Sequence, residues 1–164
     1  MYRTGNVMIT GSEHRPPDVS ALAGDMRGFI RWIGSHQKML HPVELAAIIH
    51  YKLVAIHPFF DGNGRTARIL MNVLLLREGY PLVIVLKNDR KKYYQALSRA
   101  DAGDYSSFVR FTAQAVERSL NMYLATISPS SNSLIKSSIE YSDVSSSVSL
   151  DKISLILASF LSLT

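Results

Sequence analysis

The residues of this chain that could do chemistry together are concentrated in positions 57–68, which read HPFFDGNGRTAR. Gly62 and Gly64 let the backbone turn sharply and let a ligand approach the N–H groups, and a helix is predicted to restart near Gly64. Free amides in the first turn of a helix attract anions. Arg65 and Arg68 are three residues apart, so we expect them on one face of that turn. Two arginines beside such amides suit a polyphosphate better than a single carboxylate.

Two further side chains of the same stretch extend this interpretation. Asp61 is a hard oxygen donor at the edge of the loop, where it could hold Mg²⁺ that bridges phosphates. His57 ends the preceding helix, and an imidazole with an unperturbed pKa of about 6.5 suits a general base. No Walker loop occurs, and no Gly-x-Gly-x-x-Gly follows a strand. The residues therefore indicate a nucleotide polyphosphate, Mg²⁺ and a histidine base.

The stretch resembles the signature of the Fic family (filamentation induced by cyclic AMP), His-Pro-Phe-x-Asp/Glu-Gly-Asn-Gly-Arg-x-x-Arg. Every fixed position of that signature is matched here. The resemblance extends from about residue 2 to residue 127. The further matching residues are Tyr2-Arg3, Gly11-Ser12, His14, Pro16-Pro17, Gly79-Tyr80-Pro81, Tyr93-Tyr94 and Gly103-Asp104.

The resemblance implies a compact, mainly α-helical Fic-type domain with a small β-hairpin flap over its active site. It also implies transfer of AMP from ATP, the co-substrate, to a Ser, Thr or Tyr hydroxyl of a target protein. His57 would deprotonate that hydroxyl and Asp61 would bind Mg²⁺. The phosphates would be bound by Gly62, Asn63, Gly64, Arg65 and Arg68.

Two more groups of residues take their roles from the resemblance alone. The flap, which would align the target segment by strand-like pairing, comprises Thr10, Gly11, Ser12, Glu13 and His14. Tyr93 and Tyr94 would line the adenine pocket, with Asp101 nearby. Many family members have Asn at the position of Asp101, which leaves its role open.

There are two alternatives to AMP transfer, a different reaction on the same fold and a protein without catalytic activity. The same site could transfer another nucleotidyl or phosphoryl group, or remove AMP. The chain could also be a catalytically silent regulatory module. Many Fic enzymes are inhibited by a helix with the pattern Ser/Thr-x-x-x-Glu, but no glutamate of this chain has Ser or Thr four residues before it. We therefore expect no self-inhibition, and any inhibition to come from an antitoxin-like chain or an upstream region. A homodimer stays open.

The elements that must position these residues follow from periodicity and capping signals. Residues 6–16 are predicted to form the flap hairpin, and apolar spacing after Asp18 predicts a helix over 19–36. A buried central helix is expected over 43–56, and the helix after the motif ends at Gly79. Residues 82–86 read equally as a short strand or an extended connector. Helices over about 89–100, capped by Asn88, and from Asp104 to about 127 complete the domain.

Composition bounds the class of protein. The 164 residues are 47% hydrophobic and 19% charged, which favours one packed domain. Cysteine is absent, which excludes disulfides and thiolate chemistry. Because no apolar run is long enough for a membrane span, we expect a cytoplasmic protein without a membrane partner. Residues 1–127 carry a net charge of +6, yet no nucleic-acid motif accompanies it.

The last part of the chain differs in composition. Serine supplies 14 of residues 128–164, and positions 153–163 are mostly apolar. We predict a domain over 1–127, followed by a serine-rich linker or tail. Many family members carry a further helical region upstream of the position of Tyr2.

Overall fold

The computed structural model describes residues 1–127 of the chain, without the side chain of residue 127. The serine-rich segment 128–164, predicted to be a linker or tail, lies outside the described residues. Five α-helices and one 3-10 turn make up the described part. They are α1 Val19–His36, α2 Pro42–Ile56, α3 Asn63–Arg77, the 3-10 turn Lys87–Asp89, α4 Arg90–Asp101 and α5 Ser106–Ile127.

Helix α2 is the centre of the domain, because it packs against α1, α3, α4 and α5. Ala46, Ile49 and Leu53 face a core shared with α1, α3 and α5. Ala47 and Tyr51 face a second cluster, formed with α4 and the start of α5. A helix buried on opposite sides must be apolar nearly all round, as the sequence of α2 predicts. Because α2 ends directly before His57, the motif begins at the end of a firmly packed helix.

Local capping signals set most helix boundaries. The Asp18 side chain accepts a hydrogen bond from the Ser20 amide at 2.8 Å, and α1 has the predicted bounds. Pro42 occupies the first turn of α2, where its missing N–H costs nothing. Asp104 accepts from the Ser106 amide at 3.0 Å and starts α5. The predicted cap Asn88 lies instead within the 3-10 turn, and Asp89 precedes α4.

The two short segments with strand-like sequences contain no paired strand within the described residues. In segment 6–16 a turn closes through the Ser12 amide and the Ile9 carbonyl at 3.1 Å, but no ladder follows it. In segment 82–86 both backbone groups of Val83 bond to the Asn72 side chain, at 2.7 and 3.0 Å. That amide takes the place of a neighbouring strand, so the extended connector is the correct alternative.

Among the described residues, no helix has both the length and the apolar composition needed to cross a bilayer.

Candidate functional site

His57 lies just beyond the end of α2 with its backbone in the left-handed region, at φ 52°. Its amide donates to the Leu53 carbonyl at 3.1 Å, and Pro58 prevents the helix from continuing. Ring atom Nδ1 lies 3.2 Å from the Val54 carbonyl oxygen. Because a carbonyl can only accept, Nδ1 carries the proton in the neutral ring and Nε2 keeps its lone pair. The fold therefore presents His57 with Nε2 as the basic nitrogen.

The electrostatic surroundings of His57 favour the neutral ring. Burial lowers the pKa of His57 below its ordinary value of 6.5, and the nearby Arg3 and His14 side chains lower it further. The hydrogen bond to Val54 acts in the opposite direction. A neutral imidazole near pH 7 is the form that a general base requires.

Arg3 is the residue of this site whose role sequence reasoning missed. It is 2% exposed, and its Nε donates to the His57 carbonyl at 2.9 Å. Nη1 donates to Gly5 O at 2.9 Å and Nη2 donates to Pro17 O. The Arg3 amide adds a bond to Pro58 O at 2.8 Å. Arg3 thereby joins the two residues that flank the flap, Gly5 and Pro17, to the motif. The matched Tyr2-Arg3 pair was its only sequence signal.

The loop after Pro58 is fixed by Asn63, whose side chain is used within the loop. Its Oδ1 accepts from the Phe59 amide at 2.9 Å, and its Nδ2 donates to the Phe59 carbonyl at 2.7 Å. Asn63 is 3% exposed, so its side chain faces the protein, which leaves its backbone amide as the group that could contact a phosphate. The Asn63 side chain therefore stabilises the conformation of the loop.

The amino end of α3 is open for an anion. Gly62 occupies the N-cap position at φ 85°, a conformation that favours glycine, and no described side chain caps the first amides of the helix. The free N–H groups and the helix dipole make this end electropositive. The backbone at this end of α3 is therefore suited to the anion that the sequence predicts there.

The two motif arginines diverge from each other, although their spacing predicted a common face. Arg65 turns back along the loop and pairs with Asp61 Oδ2 at 2.9 Å, with 70% of its side chain exposed. Arg68 leans across Gly64, where an added Cβ would lie 3.3 Å from Nη1. Its charge acts on Tyr93 and on His50, whose pKa falls to about 3 mainly through burial. The two arginines therefore have different neighbours at the α3 amino end.

Asp61 is the residue of the loop suited to hold a cation. Its side chain is 89% exposed. Oδ1 accepts a hydrogen bond from the Gly62 amide at 2.6 Å, and Oδ2 pairs with the Arg65 guanidinium. No group of three or more acidic or histidine side chains gathers among the described residues. Mg²⁺ commonly takes one or two carboxylates together with phosphate oxygens and water, which a single aspartate beside a phosphate site fits.

The residues predicted for the adenine pocket occupy different environments. Tyr93 is buried, with its ring edge-on to Phe108 and Phe111. Tyr94 is 53% exposed, and the Arg90 guanidinium lies 5.7 Å from its ring centroid. Only Tyr94 thus offers an open aromatic face beside α4.

Asp101 links α4 to α2 and to the flap. Its Oδ1 accepts from the Tyr51 hydroxyl at 3.1 Å and lies 3.2 Å from His14 Nδ1. The other ring nitrogen of His14 lies 2.9 Å from the Ala55 carbonyl. His14 therefore links the flap to α2 at Ala55, two residues before His57. The other predicted flap residues are exposed, namely Thr10, Gly11, Ser12 and Glu13.

Comparisons with known proteins identify the family to which this chain is similar. The Fic/DOC family model matches residues 1–75. The protein adenylyltransferase Fic of Drosophila melanogaster is 52% identical over 124 residues, which cover 75% of this chain and 25% of that protein. The same protein of Drosophila yakuba gives the same identity and coverage. This chain thus spans a quarter of the length of these relatives.

Solved structures give the same result for the fold. Fic-1 of C. elegans superimposes with a TM-score of 0.71 at 36% identity, covering 79% of this chain and 38% of that one. A Fic-domain signalling protein of Bacteroides thetaiotaomicron gives a TM-score of 0.68 at 30% identity, covering 74% of this chain and 52% of that one. The chain belongs to the Fic/DOC family, and its mainly α-helical Fic-type fold is confirmed.

Proposed function

We propose that this protein is an adenylyltransferase that transfers AMP from ATP to a Ser, Thr or Tyr hydroxyl of a target protein. The observation that carries the proposal is the placement of His57 directly before the open amino end of α3. Its Nε2 is free to accept a proton, and the uncapped amides are free to bind phosphate. The relatives named protein adenylyltransferase support this chemistry.

The proposed reaction is an in-line displacement at the α-phosphorus. The hydroxyl oxygen of the target forms a bond to that phosphorus, and the bond to the β-phosphate oxygen breaks, so that pyrophosphate leaves. His57 Nε2 takes the hydroxyl proton. The amides at the start of α3 and the Arg68 guanidinium would bind phosphate oxygens, whose negative charge they offset. Asp61 would hold Mg²⁺, which when bound neutralises phosphate charge.

Substrate binding would rearrange one contact of this site. Arg65 and Asp61 pair with each other on the surface, and exposed pairs of this kind contribute only about 0–1 kcal/mol. Breaking the pair therefore costs little, which would free Arg65 for a phosphate and Asp61 for a cation. The buried bonds of Asn63 would keep the loop in place during this exchange.

The test is label transfer with two forms of ATP and Mg²⁺. ATP labelled at the α-phosphate should label the chain or an added protein, with a mass gain of one AMP. ATP labelled at the γ-phosphate should transfer nothing. Transfer of γ-label would indicate a kinase, and the absence of both labels with a range of added proteins would refute the proposal.

A further inference from the structure

A cleft of about 440 Å³ lies beside the candidate site, between α1, α2 and the start of α5. Its volume is in the range of pockets that hold small ligands or peptide side chains. Aromatic and aliphatic surface makes up most of its wall, including Phe29, Trp32, Tyr51 and Tyr105. Neither the general base nor the phosphate site uses this cleft.

Lys52 gives the cleft an unmatched positive charge. Its Nζ lies 4.7 Å from the Trp32 ring centroid and 5.9 Å from that of Tyr105. No carboxylate of the described residues forms an ion pair with it. Burial lowers the pKa of Lys52 below its ordinary 10.5. Ring faces attract an ammonium group, but they cannot accept its three N–H donors as an anion does.

The position of the cleft connects it with the target protein. Ala55 and Ile56 line it and directly precede His57, and His14 lines it from the flap. An extended peptide advances roughly 3.3 Å per residue. A peptide whose hydroxyl reaches His57 would therefore pass the cleft within a few residues of that hydroxyl.

We infer that this cleft binds one acidic side chain of the target protein, a few residues from the modified hydroxyl, through Lys52. The inference rests on the proposed function and adds the class of substrate. Asp25 also lines the cleft, so its negative charge disfavours a doubly charged group there more strongly than a single carboxylate. A single carboxylate with an apolar neighbour fits this wall better than a phosphate group.

The chain supplies its own probe of occupancy, because Trp32 is its one tryptophan. The protein is titrated, without ATP, with peptides that carry one serine and one glutamate at varied separation. The fluorescence of Trp32 is recorded at each peptide concentration. Matched peptides carry glutamine or phosphoserine in place of the glutamate. We expect a saturable change with the glutamate peptides at one preferred separation, and binding about 10- to 100-fold weaker with glutamine.

Variants of Lys52 test the residue itself. Lys52→Met should weaken binding of the glutamate peptide to the level of the glutamine peptide, and Lys52→Arg should restore most of it. Lys52→Glu should prefer a lysine peptide. Lys87→Glu makes the same charge change at an exposed position of the 3-10 turn and should leave the preference unchanged.

Several outcomes would overturn the inference. Equal binding of glutamate and glutamine peptides to the wild type would do so even if the Lys52 variants fail to fold. Tighter binding of the phosphoserine peptide would show that the cleft prefers a phosphate group to a single carboxylate. Selective binding without AMP transfer would leave the cleft assigned and refute the proposed function, whereas transfer without acidic preference would do the reverse.

Discussion

The motif loop, residues 58–62, and the flap, residues 6–16, meet at the same site but are held in very different ways. The loop is fixed by buried groups, since Asn63 bonds both backbone groups of Phe59 and the Arg3 amide bonds Pro58. The flap is exposed over residues 10–13. The ring of His14 links it to α2 and α4, and the Asn6 side chain links its first residue to the start of α1.

This difference matches what the proposed function would require each region to bind. Phosphates are the same in every ATP molecule, and fixed donors stabilise developing charge without reorganising during the reaction. A target segment varies in sequence, so the region that receives it gains from backbone groups that are still unpaired. On the proposed function, the domain would combine a firmly held phosphate site with a more exposed acceptor site.

The largest effect is expected from removing the base at the junction of the two regions. His57→Asn should lower AMP transfer by about 10²- to 10⁴-fold. Asparagine tolerates the left-handed backbone found here, so the fold should be kept, whereas alanine would add strain. Transfer rate and thermal stability are measured together, with His36→Asn at the end of α1 as the control. Near-normal transfer by His57→Asn would refute the mechanism.

The rigidity of the motif loop can be tested with a matched pair of asparagines. Asn63→Ala frees both backbone groups of Phe59, and Asn72→Ala frees both of Val83. Each should lower the free energy of unfolding by about 1–3 kcal/mol. Only Asn63→Ala should also lower AMP transfer, by about 10- to 100-fold, because it displaces the phosphate site.

The measurements for this pair are urea unfolding and steady-state kinetics. If Asn72→Ala impairs transfer as much as Asn63→Ala at equal loss of stability, the loop has no special role. The contrast between loop and flap would then be wrong.

The tether of the flap should have a smaller and more selective effect. His14→Ala removes the contacts with Ala55 O and Asp101 Oδ1. We expect the KM for the target protein to rise by about 3- to 10-fold, with the KM for ATP nearly unchanged. Ser12→Ala, which loses only the local bond to the His14 amide, serves as the control. An equal rise in both KM values would show that the tether also shapes the nucleotide site.

The smallest effect on AMP transfer is expected from replacing His50, which lies on α2 two turns before His57. His50 is fully buried, and burial followed by the charge of Arg68 lowers its pKa to about 3. Between pH 6.5 and 3 the unfolded state therefore binds a proton that the folded state does not. The resulting stabilisation is complete above pH 6.5 and is lost as the pH falls.

Urea unfolding at two pH values checks this sign. From pH 8 to pH 5 the wild type should lose about 2 kcal/mol more free energy of unfolding than His50→Gln. The control is His36→Gln, which should keep the wild-type dependence. The same slope in His50→Gln and wild type would show that His50 is not the group responsible.

Features fixed by neighbouring residues were predictable from the sequence. Asp18 caps α1, Gly79 and Gly103 have positive φ values just after α3 and α4, and the apolar periodicity of α1 gives its predicted bounds. Capping bonds and helical faces join residues two to four positions apart, so the chain carries both partners within one window. The motif itself is equally local, which is why the family could be predicted from it.

Contacts between distant segments needed the tertiary structure. Arg3 bonds the His57 carbonyl across 54 positions, and His14 reaches the Ala55 carbonyl across 41. Neither partner is marked by its type, because a backbone carbonyl is the same at every residue. The divergence of Arg65 and Arg68 also came from packing, because their spacing fixes where the side chains leave the helix but not which neighbours they meet. The sequence alone therefore determined the helices and the chemistry-bearing motif. Long-range contacts of Arg3 and His14, which only the tertiary structure supplies, decided how the start of the chain is joined to the motif and to the end of α2.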